Sequence, residues 1–289
     1  MDSAVVQVTP LPPDLAWRAF AGEEGVGVVR ALLRPDERCF VFFDACRTEA
    51  YGPLLAAVGR ALGRDLYATV DEADDEGRAL YEQLGFVVNR RESEYLIPTD
   101  PQVTGLCGVE EPPGFVLVGA DQVAEDRLRV LDDTLRQDVP GTDGWRWDEA
   151  GFREETFGSP SFDPATYLVA IEQTSGDYAG LVRVWNNFLG PRLGLIAVVP
   201  RYRRQGLAKA LLARAFAVLH ERGKTEVSAE VDDTNVASTS LLEPLGARRT
   251  GGSIELVRHR NESDSEPPPE PGFAQRAGGS TGEPAVPPS

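Results

Sequence analysis

The segment from Pro200 to Gly206 places a cluster of arginines and a glycine directly ahead of a predicted helix. An apolar run, Leu195 to Val199, precedes it and has the length and β-branched content of a buried strand. After Gly206, apolar residues recur at helical spacing as far as Leu219. The first amides of a helix have no intrahelical acceptor, and the helix dipole attracts negative charge there. A strand, a basic turn and a helix N-terminus in this order predict a phosphate or diphosphate site.

Individual residues of this segment suit such a ligand. Arg203, Arg204 and Lys209 supply positive charge for a diphosphate. Gly206 allows a ligand to approach the backbone closely, and Ala208 keeps the first helical turn narrow. The alternative is an ordinary strand–loop–helix connection with a solvated basic loop.

The pattern Val-x-Pro-x-x-Arg-x-x-Gly-x-Ala is carried by Val198, Pro200, Arg203, Gly206 and Ala208. It resembles the acetyl-CoA loop of the GNAT (N-acetyltransferase) superfamily. The resemblance implies an α/β fold with a mixed central sheet flanked by helices, and acetyl-CoA as co-substrate. The residues that it implies in acetyl-CoA binding are Ile196, Ala197, Val198, Val199, Arg203, Arg204, Gln205, Gly206, Leu207, Ala208, Lys209 and Asn235.

Composition narrows the range of partners. Of the 289 residues 42% are hydrophobic, which is enough for a proper core, and no apolar run approaches the roughly 20 residues that span a bilayer. Three scattered cysteines and an N-terminus unlike a signal peptide predict a cytoplasmic protein with reduced thiols. The net charge of −17 argues against nucleic acid and anionic membranes as partners and favours a cationic substrate such as an amine.

Hydrophobic periodicity and turn residues divide the chain into alternating strands and helices. In the first half we expect strands over 25–33, 38–44, 65–70 and 86–98, with helices over 51–62 and 74–84. In the second half we expect strands over 115–119, 167–172, 178–186, 195–199, 225–231 and 247–257. In addition to the helix that follows Gly206, we expect helices over 121–137, 148–157 and 235–245.

The two halves end alike, since Leu80-Tyr81-Glu82-x-Leu84-Gly85 matches Leu241-Leu242-Glu243-x-Leu245-Gly246. Chance similarity of two short strand–helix units is the alternative. We interpret the match as a tandem pair: a degenerate, truncated GNAT-like unit (1–98), a linker (99–111) and an acetyl-CoA-binding unit (112–260). A disordered tail rich in Pro, Gly, Ser and Glu (261–289) follows. This layout resembles mycothiol synthase and other actinobacterial tandem GNATs, although the chemistry need not match.

Only the second unit is expected to bind acetyl-CoA. In the first unit the equivalent turn carries Glu49 where the family has Arg or Gln, and Leu54 where it has Gly or Ala. At ~6 Å and an effective dielectric near 20, one charge pair is worth roughly 2–3 kcal/mol, so an acid repels a diphosphate decisively.

The resemblance also implies how transfer occurs. The strand at 196–199 should splay from the next strand, so that an amide near Val198 binds the thioester carbonyl. Asn235 matches a position that contacts the pantetheine or assists the amine, and it also suits a helix N-cap. Family members commonly carry a Tyr as acid where this chain has Leu242, which leaves water or Ser240 to protonate the thiolate.

The general base is open at this point. Glu172 ends a strand that should lead towards the slot, and the other candidate acids are Asp232, Asp233, Glu154 and Glu155. For each of them taken singly, a solvated surface position is the favoured alternative. Residues expected as pocket walls are Trp145, Trp147, Trp185, Asn186 and Asn187.

The sequence thus predicts an acetyl-CoA-dependent N-acetyltransferase that transfers directly to a primary amine, with a small molecule as the favoured acceptor. Two alternatives remain: a non-catalytic module that binds or senses acyl-CoA, and an acyltransferase that uses a longer acyl-CoA.

Overall fold

The computed structural model describes residues 6–260, so the tail predicted at 261–289 lies outside the described residues. The first half contains β1 (Val6–Pro10), β2 (Ala16–Ala21), β3 (Glu24–Leu33), β4 (Cys39–Asp44), α1 (Thr48–Leu62), β5 (Leu66–Asp71), α2 (Asp75–Gln83) and β6 (Val87–Pro98). A short helix, α3 (Pro101–Thr104), follows in the segment predicted as a linker. The expected strands and helices of this half are present, and β1 and β2 precede the first of the strands named above.

The second half begins with β7 (Phe115–Gly119), α4 (Glu125–Arg136), α5 (Glu149–Thr156), β8 (Tyr167–Glu172), β9 (Tyr178–Asn187) and β10 (Gly190–Val198). It continues with α6 (Leu207–Glu221), β11 (Glu226–Asp232), α7 (Val236–Leu242) and β12 (Arg248–Arg258). One mixed sheet contains all twelve of these strands in the order β1-β2-β3-β4-β5-β12-β6-β11-β10-β9-β8-β7. The predicted fold class, a mixed sheet flanked by helices, is confirmed. No helix within residues 6–260 has the length and apolar character needed to cross a membrane.

Helices cover both faces of the second half of the sheet. The neighbouring residues Leu181 and Val182 of β9 belong to different apolar clusters, and successive side chains of a strand point to opposite faces. One cluster includes Leu211 of α6, and the other includes Leu128 of α4 and Phe152 of α5. The face that carries α4 and α5 is called the α4 face below.

The two halves exchange their last strands. β12, which ends the second half, pairs with β5 of the first half, and β6, which ends the first half, pairs with β11 of the second. β6 and β12 also pair with each other at the centre of the sheet. Residues of β6 therefore lie beside the second half, more than a hundred residues away in sequence.

Candidate acyl-CoA cleft

The strands β10 and β11 separate within the sheet. They are paired in parallel only at Arg192 with Ser228 and at Leu193 with Ala229, although β10 continues to Val198 and β11 to Asp232. A bulge between Leu193 and Leu195 coincides with the point of separation. The splayed strands predicted from the sequence are therefore present in the geometry of the sheet.

Gly194 occupies this bulge because no side chain fits there. A Cβ atom at Gly194 would lie 2.8 Å from Nε1 of Trp185 and 3.4 Å from Nε of Arg183, both on β9. The indole of Trp185 thus borders the bulge on the α4 face.

A cleft of about 110 Å³ lies between the separated strands. Its walls come from five parts of the chain: β6 of the first half, the segment after α4, β10, β11, and α7 with its N-cap. The residues that line it are Arg90, Glu92, Val139, Pro140, Leu193, Gly194, Leu195, Ile196, Ala229, Glu230, Val231, Asp232, Asn235, Ser238 and Leu242. Both halves therefore contribute to one cavity.

The free edge of β10 offers a backbone donor to this cleft. The N–H of Val199 donates to the carbonyl of Ala179 on β9, at 2.8 Å. Because successive backbone groups of a strand point to opposite edges, the N–H and C=O of Val198 face away from β9, towards the splay. A carbonyl placed between the strands can accept a hydrogen bond from Val198, as the sequence analysis expected.

The basic turn after β10 is open to solvent. A 3₁₀ turn over Pro200–Tyr202 leads into Arg203–Gly206, all four of which are exposed. Arg204 and Gly206 adopt positive φ values of 65° and 88°, which aim the chain into α6. No side chain caps the first turn of α6, so its leading amides have no side-chain acceptor.

The three basic residues of the turn have different environments. Nε of Arg203 donates to the carbonyl of Val198 at 2.9 Å, and its guanidinium also pairs with Asp138 after α4. Arg203 therefore fixes the turn against the end of β10. Arg204 and Lys209 are exposed, and in the described part of the chain neither forms an ion pair. These two side chains are available to an anionic ligand.

Asn235 has the geometry of an N-cap and also faces the cleft. Its side-chain oxygen accepts a hydrogen bond from the N–H of Ser238, at 3.1 Å. The carboxamide N–H₂ makes no hydrogen bond to residues 6–260, which leaves it free to donate into the cleft. The two roles weighed from the sequence are thus compatible.

Ser240 and Leu242 lie on α7 with different exposures. Ser240 is exposed and does not line the cleft, whereas Ser238, one half-turn earlier, does. Leu242 is buried and faces the cleft at the position where the sequence analysis noted a missing tyrosine. The serine of α7 that lines the cleft is therefore Ser238, which sequence reasoning did not single out.

Glu172 lies outside the cleft, at the turn after β8. Its carboxylate accepts hydrogen bonds from the N–H of Ser175 at 2.6 Å and of Thr174 at 3.1 Å. These bonds, those from Ser175 foremost, lower the pKa of Glu172 from 4.5 to about 2. The carboxylate stabilises a turn, and it is a poor proton acceptor at neutral pH.

This turn gives a pH-dependent prediction. A carboxyl whose pKa is lower in the folded chain than in the unfolded chain adds stability above its unfolded pKa. That stability should disappear as the pH falls from about 4.5 to about 2. We expect Glu172→Gln to show a weaker loss of stability than the wild type over this range in urea titrations. An NMR titration that places the Glu172 pKa near 4.5 would contradict the assignment.

A buried ionic network sets the α4 side of the cleft. Asp132 of α4 is fully buried. Its carboxylate accepts hydrogen bonds from Arg136 at 2.6 Å, Arg183 at 2.8 Å and Nε1 of Trp147 at 3.2 Å. Its neighbour Asp133 accepts the N–H of Trp147 at 2.9 Å. These contacts anchor both ends of the segment that contains Val139 and Pro140, so the network positions the cleft wall.

The same segment also rests on the first half. Nε1 of Trp145 donates to the carbonyl of Pro35 at 2.9 Å, and the guanidinium of Arg38 contacts the carbonyl of Gly141. Trp145 and Trp147 pack edge to face, with ring centroids 4.5 Å apart. The two tryptophans therefore brace the wall of the cleft from outside it.

The equivalent slot of the first half holds aromatic side chains. β4 and β5 are also paired at only two positions, Cys39 with Leu66 and Phe40 with Tyr67. Beyond them Phe43 packs against Tyr51 and Tyr81, with ring centroids 4.8 and 6.0 Å apart. Burial raises the pKa of Tyr81 to about 12, so it is a weak acid and a packing residue.

Arg90 and Glu92 are the cleft residues that the sequence analysis missed. They lie on β6, in the half that was not expected to bind acetyl-CoA. The available signal was the alternation Arg90, Glu92, Glu94 on a strand near the middle of the sheet, where one polar face is unusual.

Comparison with known proteins agrees with this geometry. Residues 128–247 match the model of the acetyltransferase (GNAT) family. A mycothiol acetyltransferase of Salinispora arenicola is 32% identical over 148 residues, which are 43% of this chain and 48% of that protein. A second, from Thermobispora bispora, is 27% identical over 214 residues, or 66% of this chain and 69% of that protein. The chain thus spans about half the length of the first of these relatives.

Solved structures share the fold over most of the chain. A GCN5-related N-acetyltransferase from Sphaerobacter thermophilus superimposes with a TM-score of 0.65 at 18% identity, covering 85% of this chain and 81% of that one. A tandem GNAT protein from the clavulanic acid biosynthesis pathway gives 0.61 at 18% identity, covering 85% and 82%. These solved structures show a shared fold, and the region that matches the acetyltransferase (GNAT) family model, residues 128–247, contains the splayed strands and the turn after β10.

Proposed function

We propose that this protein is an acetyl-CoA-dependent N-acetyltransferase that transfers the acetyl group directly to a primary amine. The observation that carries the proposal is the splay of β10 and β11, which leads into an exposed basic turn and the uncapped N-terminus of α6. The diphosphate of CoA would bind the amides from Gly206 to Lys209, with charge from Arg204 and Lys209.

The pantetheine arm and the thioester fit between the separated strands. The N–H of Val198 would donate to the thioester carbonyl and to the oxyanion that develops when the amine attacks. One such donor contributes ~3 kcal/mol to the transition state. The amide of Asn235 faces the same cleft and would orient the pantetheine arm or the amine. Holding amine and thioester together supplies much of the remaining rate.

A small amine is the acceptor class that we propose. Three carboxylates line the cleft, and their charge suits an ammonium group. The two relatives named mycothiol acetyltransferase support an acceptor of small-molecule size. We further propose that the chain comprises a first unit over 1–98 and an acetyl-CoA-binding unit over 112–260, joined by 99–111.

Two measurements test this function. Calorimetry should show one acetyl-CoA bound per chain, and thiol release should saturate with at least one primary amine among tyramine, spermidine and glucosamine. Acetyl-CoA that fails to bind would remove the basis of the proposal.

A second candidate function is an acyl-CoA sensor, which is favoured by the buried Leu242 where the family commonly has a tyrosine acid. Binding of acetyl-CoA without thiol release for any of the amines would support the sensor. A donor series of acetyl-, butyryl- and decanoyl-CoA tests the acyl length, and we expect acetyl-CoA to react fastest in this narrow cleft.

A further inference from the structure

The exchange of strands brings a carboxylate of the first half into the cleft of the second. Glu92 of β6 lies directly opposite Asp232 of β11 in the strand pairing, so their side chains share a face of the sheet. Val231 belongs to the apolar cluster of α6, so its neighbour Asp232 faces the α4 side, and Glu92 does too. This is the side on which the cleft is closed by Val139 and Pro140.

The other two carboxylates of the cleft are occupied. Glu230 forms a two-bond ion pair with Arg192, with Nε to Oε1 at 3.1 Å. Asp232 accepts the N–H of Thr234 at 2.8 Å, and the hydroxyl of Thr234 as well, which fixes the turn into α7. Glu92 contacts only the guanidinium of Arg90, 3.2 Å away, and accepts no hydrogen bond from residues 6–260. Of the three, Glu92 is the carboxylate that accepts no hydrogen bond within the described part of the chain, so a substrate proton competes there with no hydrogen-bond donor.

A chain of charges holds Glu92 in place. Arg90 also contacts the buried Glu255 of β12, at 3.3 Å, and Glu255 contacts Arg38 at 3.4 Å. Nδ2 of Asn89 donates to the same Glu255 carboxylate at 2.6 Å. Arg90 is therefore shared between two carboxylates. It orients Glu92, but its single positive charge does not compensate the negative charge of Glu92 alone.

Burial raises the pKa of Glu92, and nearby carboxylates raise it further, against the opposing effect of Arg90. A carboxylate whose pKa moves towards neutral is a stronger base in proton transfer. The charged groups that face it from β6, β10, β11 and β12 are Arg90, Glu94, Arg192, Glu230, Asp232 and Glu255.

We propose that Glu92 is the general base of the transfer reaction, so that the first half of the chain supplies a catalytic residue to the second. This inference rests on the proposed function of the cleft. The Glu92 carboxylate accepts one proton from the substrate ammonium and later releases it to water. The amine nitrogen then bonds to the thioester carbon, the carbon–sulfur bond breaks, and the second nitrogen proton passes to the CoA thiolate. The products are an acetamide, free CoA and one proton.

The assignment also narrows the acceptor. Its ammonium group must reach the cleft from the α4 face, past Pro140 and Trp185, because the opposite face is filled by α6 and α7.

The test compares Glu92→Gln with Glu94→Gln, a matched change on the same face of β6 that lies outside the cleft and is exposed. The probes are acetyl-CoA and the best of tyramine, spermidine and glucosamine. We expect Glu92→Gln to lower kcat/KM by about 10²–10⁴-fold and to abolish the acidic limb of its pH profile. Its Kd for acetyl-CoA should stay within twofold of the wild type, and Glu94→Gln should match the wild type throughout.

Glu92→Asp provides a second variant that keeps the carboxylate. It should restore the acidic limb at a reduced kcat, which a purely structural role would not produce. An unaltered acidic limb in Glu92→Gln would overturn the base assignment while leaving the transferase intact. A wild-type protein that binds acetyl-CoA but acetylates none of the amines, or that does not bind it, would instead overturn the proposed function.

Discussion

Gly206→Asp is expected to weaken acetyl-CoA binding by about a hundredfold or more. The aspartate would lie at the uncapped N-terminus of α6, where we place the diphosphate. At ~6 Å and an effective dielectric near 20, one pair of like charges costs roughly 3 kcal/mol, which is about two orders of magnitude in Kd. Gly206 also has a φ of 88°, which an aspartate adopts only with strain. Isothermal titration calorimetry measures the loss directly.

The chain offers a matched control at the opposite end of the same helix. Gly223 has a φ of 75°, is exposed and has open space around its Cα, so Gly223→Asp brings the same charge and a similar backbone strain. We expect this variant to bind acetyl-CoA like the wild type. Equal affinities for the two aspartate variants would show that the diphosphate does not bind at the start of α6.

Asp132→Ala is expected to destabilise the fold by ~3–5 kcal/mol. Its carboxylate is fully buried and receives Arg136, Arg183 and Trp147. The side chain of Arg183 is only 7% exposed, so loss of Asp132 leaves a buried guanidinium without its counter-ion. Urea denaturation at pH 7, followed by tryptophan fluorescence, measures the change in the free energy of unfolding.

Asp126→Ala is the matched control on the same helix. Asp126 is exposed in the first turn of α4, where an acidic side chain contributes at most about 1 kcal/mol through the helix dipole. A loss of stability in Asp132→Ala no larger than that in Asp126→Ala would rule out a structural role for the network. We also expect Asp132→Ala to raise KM for the amine, because the segment with Val139 and Pro140 loses its anchor.

Local sequence signals predicted most of the elements. The turn Arg34–Glu37 separates β3 from β4, which lie close to the predicted strands 25–33 and 38–44, and β7 and β8 have the predicted bounds. β2 was missed because Ala16–Ala21 follows a proline-rich stretch and contains no β-branched residue. The strand β10 begins five residues earlier than predicted. Its first residues, Gly190 and Pro191, are typical of turns, although they pair with β9.

The candidate site combines residues that are close together in sequence with one residue, Glu92, that is distant in sequence. The turn from Pro200 to Gly206 and the following Asn235 were predictable, because each function there depends on residues within one strand–turn–helix unit. Glu92 was not predictable in the same way. Its place in the cleft depends on the pairing of β6 with β11, and no local periodicity specifies which distant strands pair. Glu172, the acid named from the sequence, ends β8 in the same sheet. Its carboxylate accepts hydrogen bonds from the turn that follows and does not face the cleft.

The position of β12 has a consequence for the synthesis of this chain. On the ribosome, residues 1–98 emerge first, but β5 and β6 have no partner between them until residues 248–258 leave the exit tunnel. The edges of β5 and β6 that pair with β12 therefore stay unpaired until nearly the whole chain has been synthesised. Unpaired strand edges can pair with other nascent chains. A protein shortened before Arg248 would keep the whole turn from Pro200 to Gly206 and still lack the central strand that joins its halves.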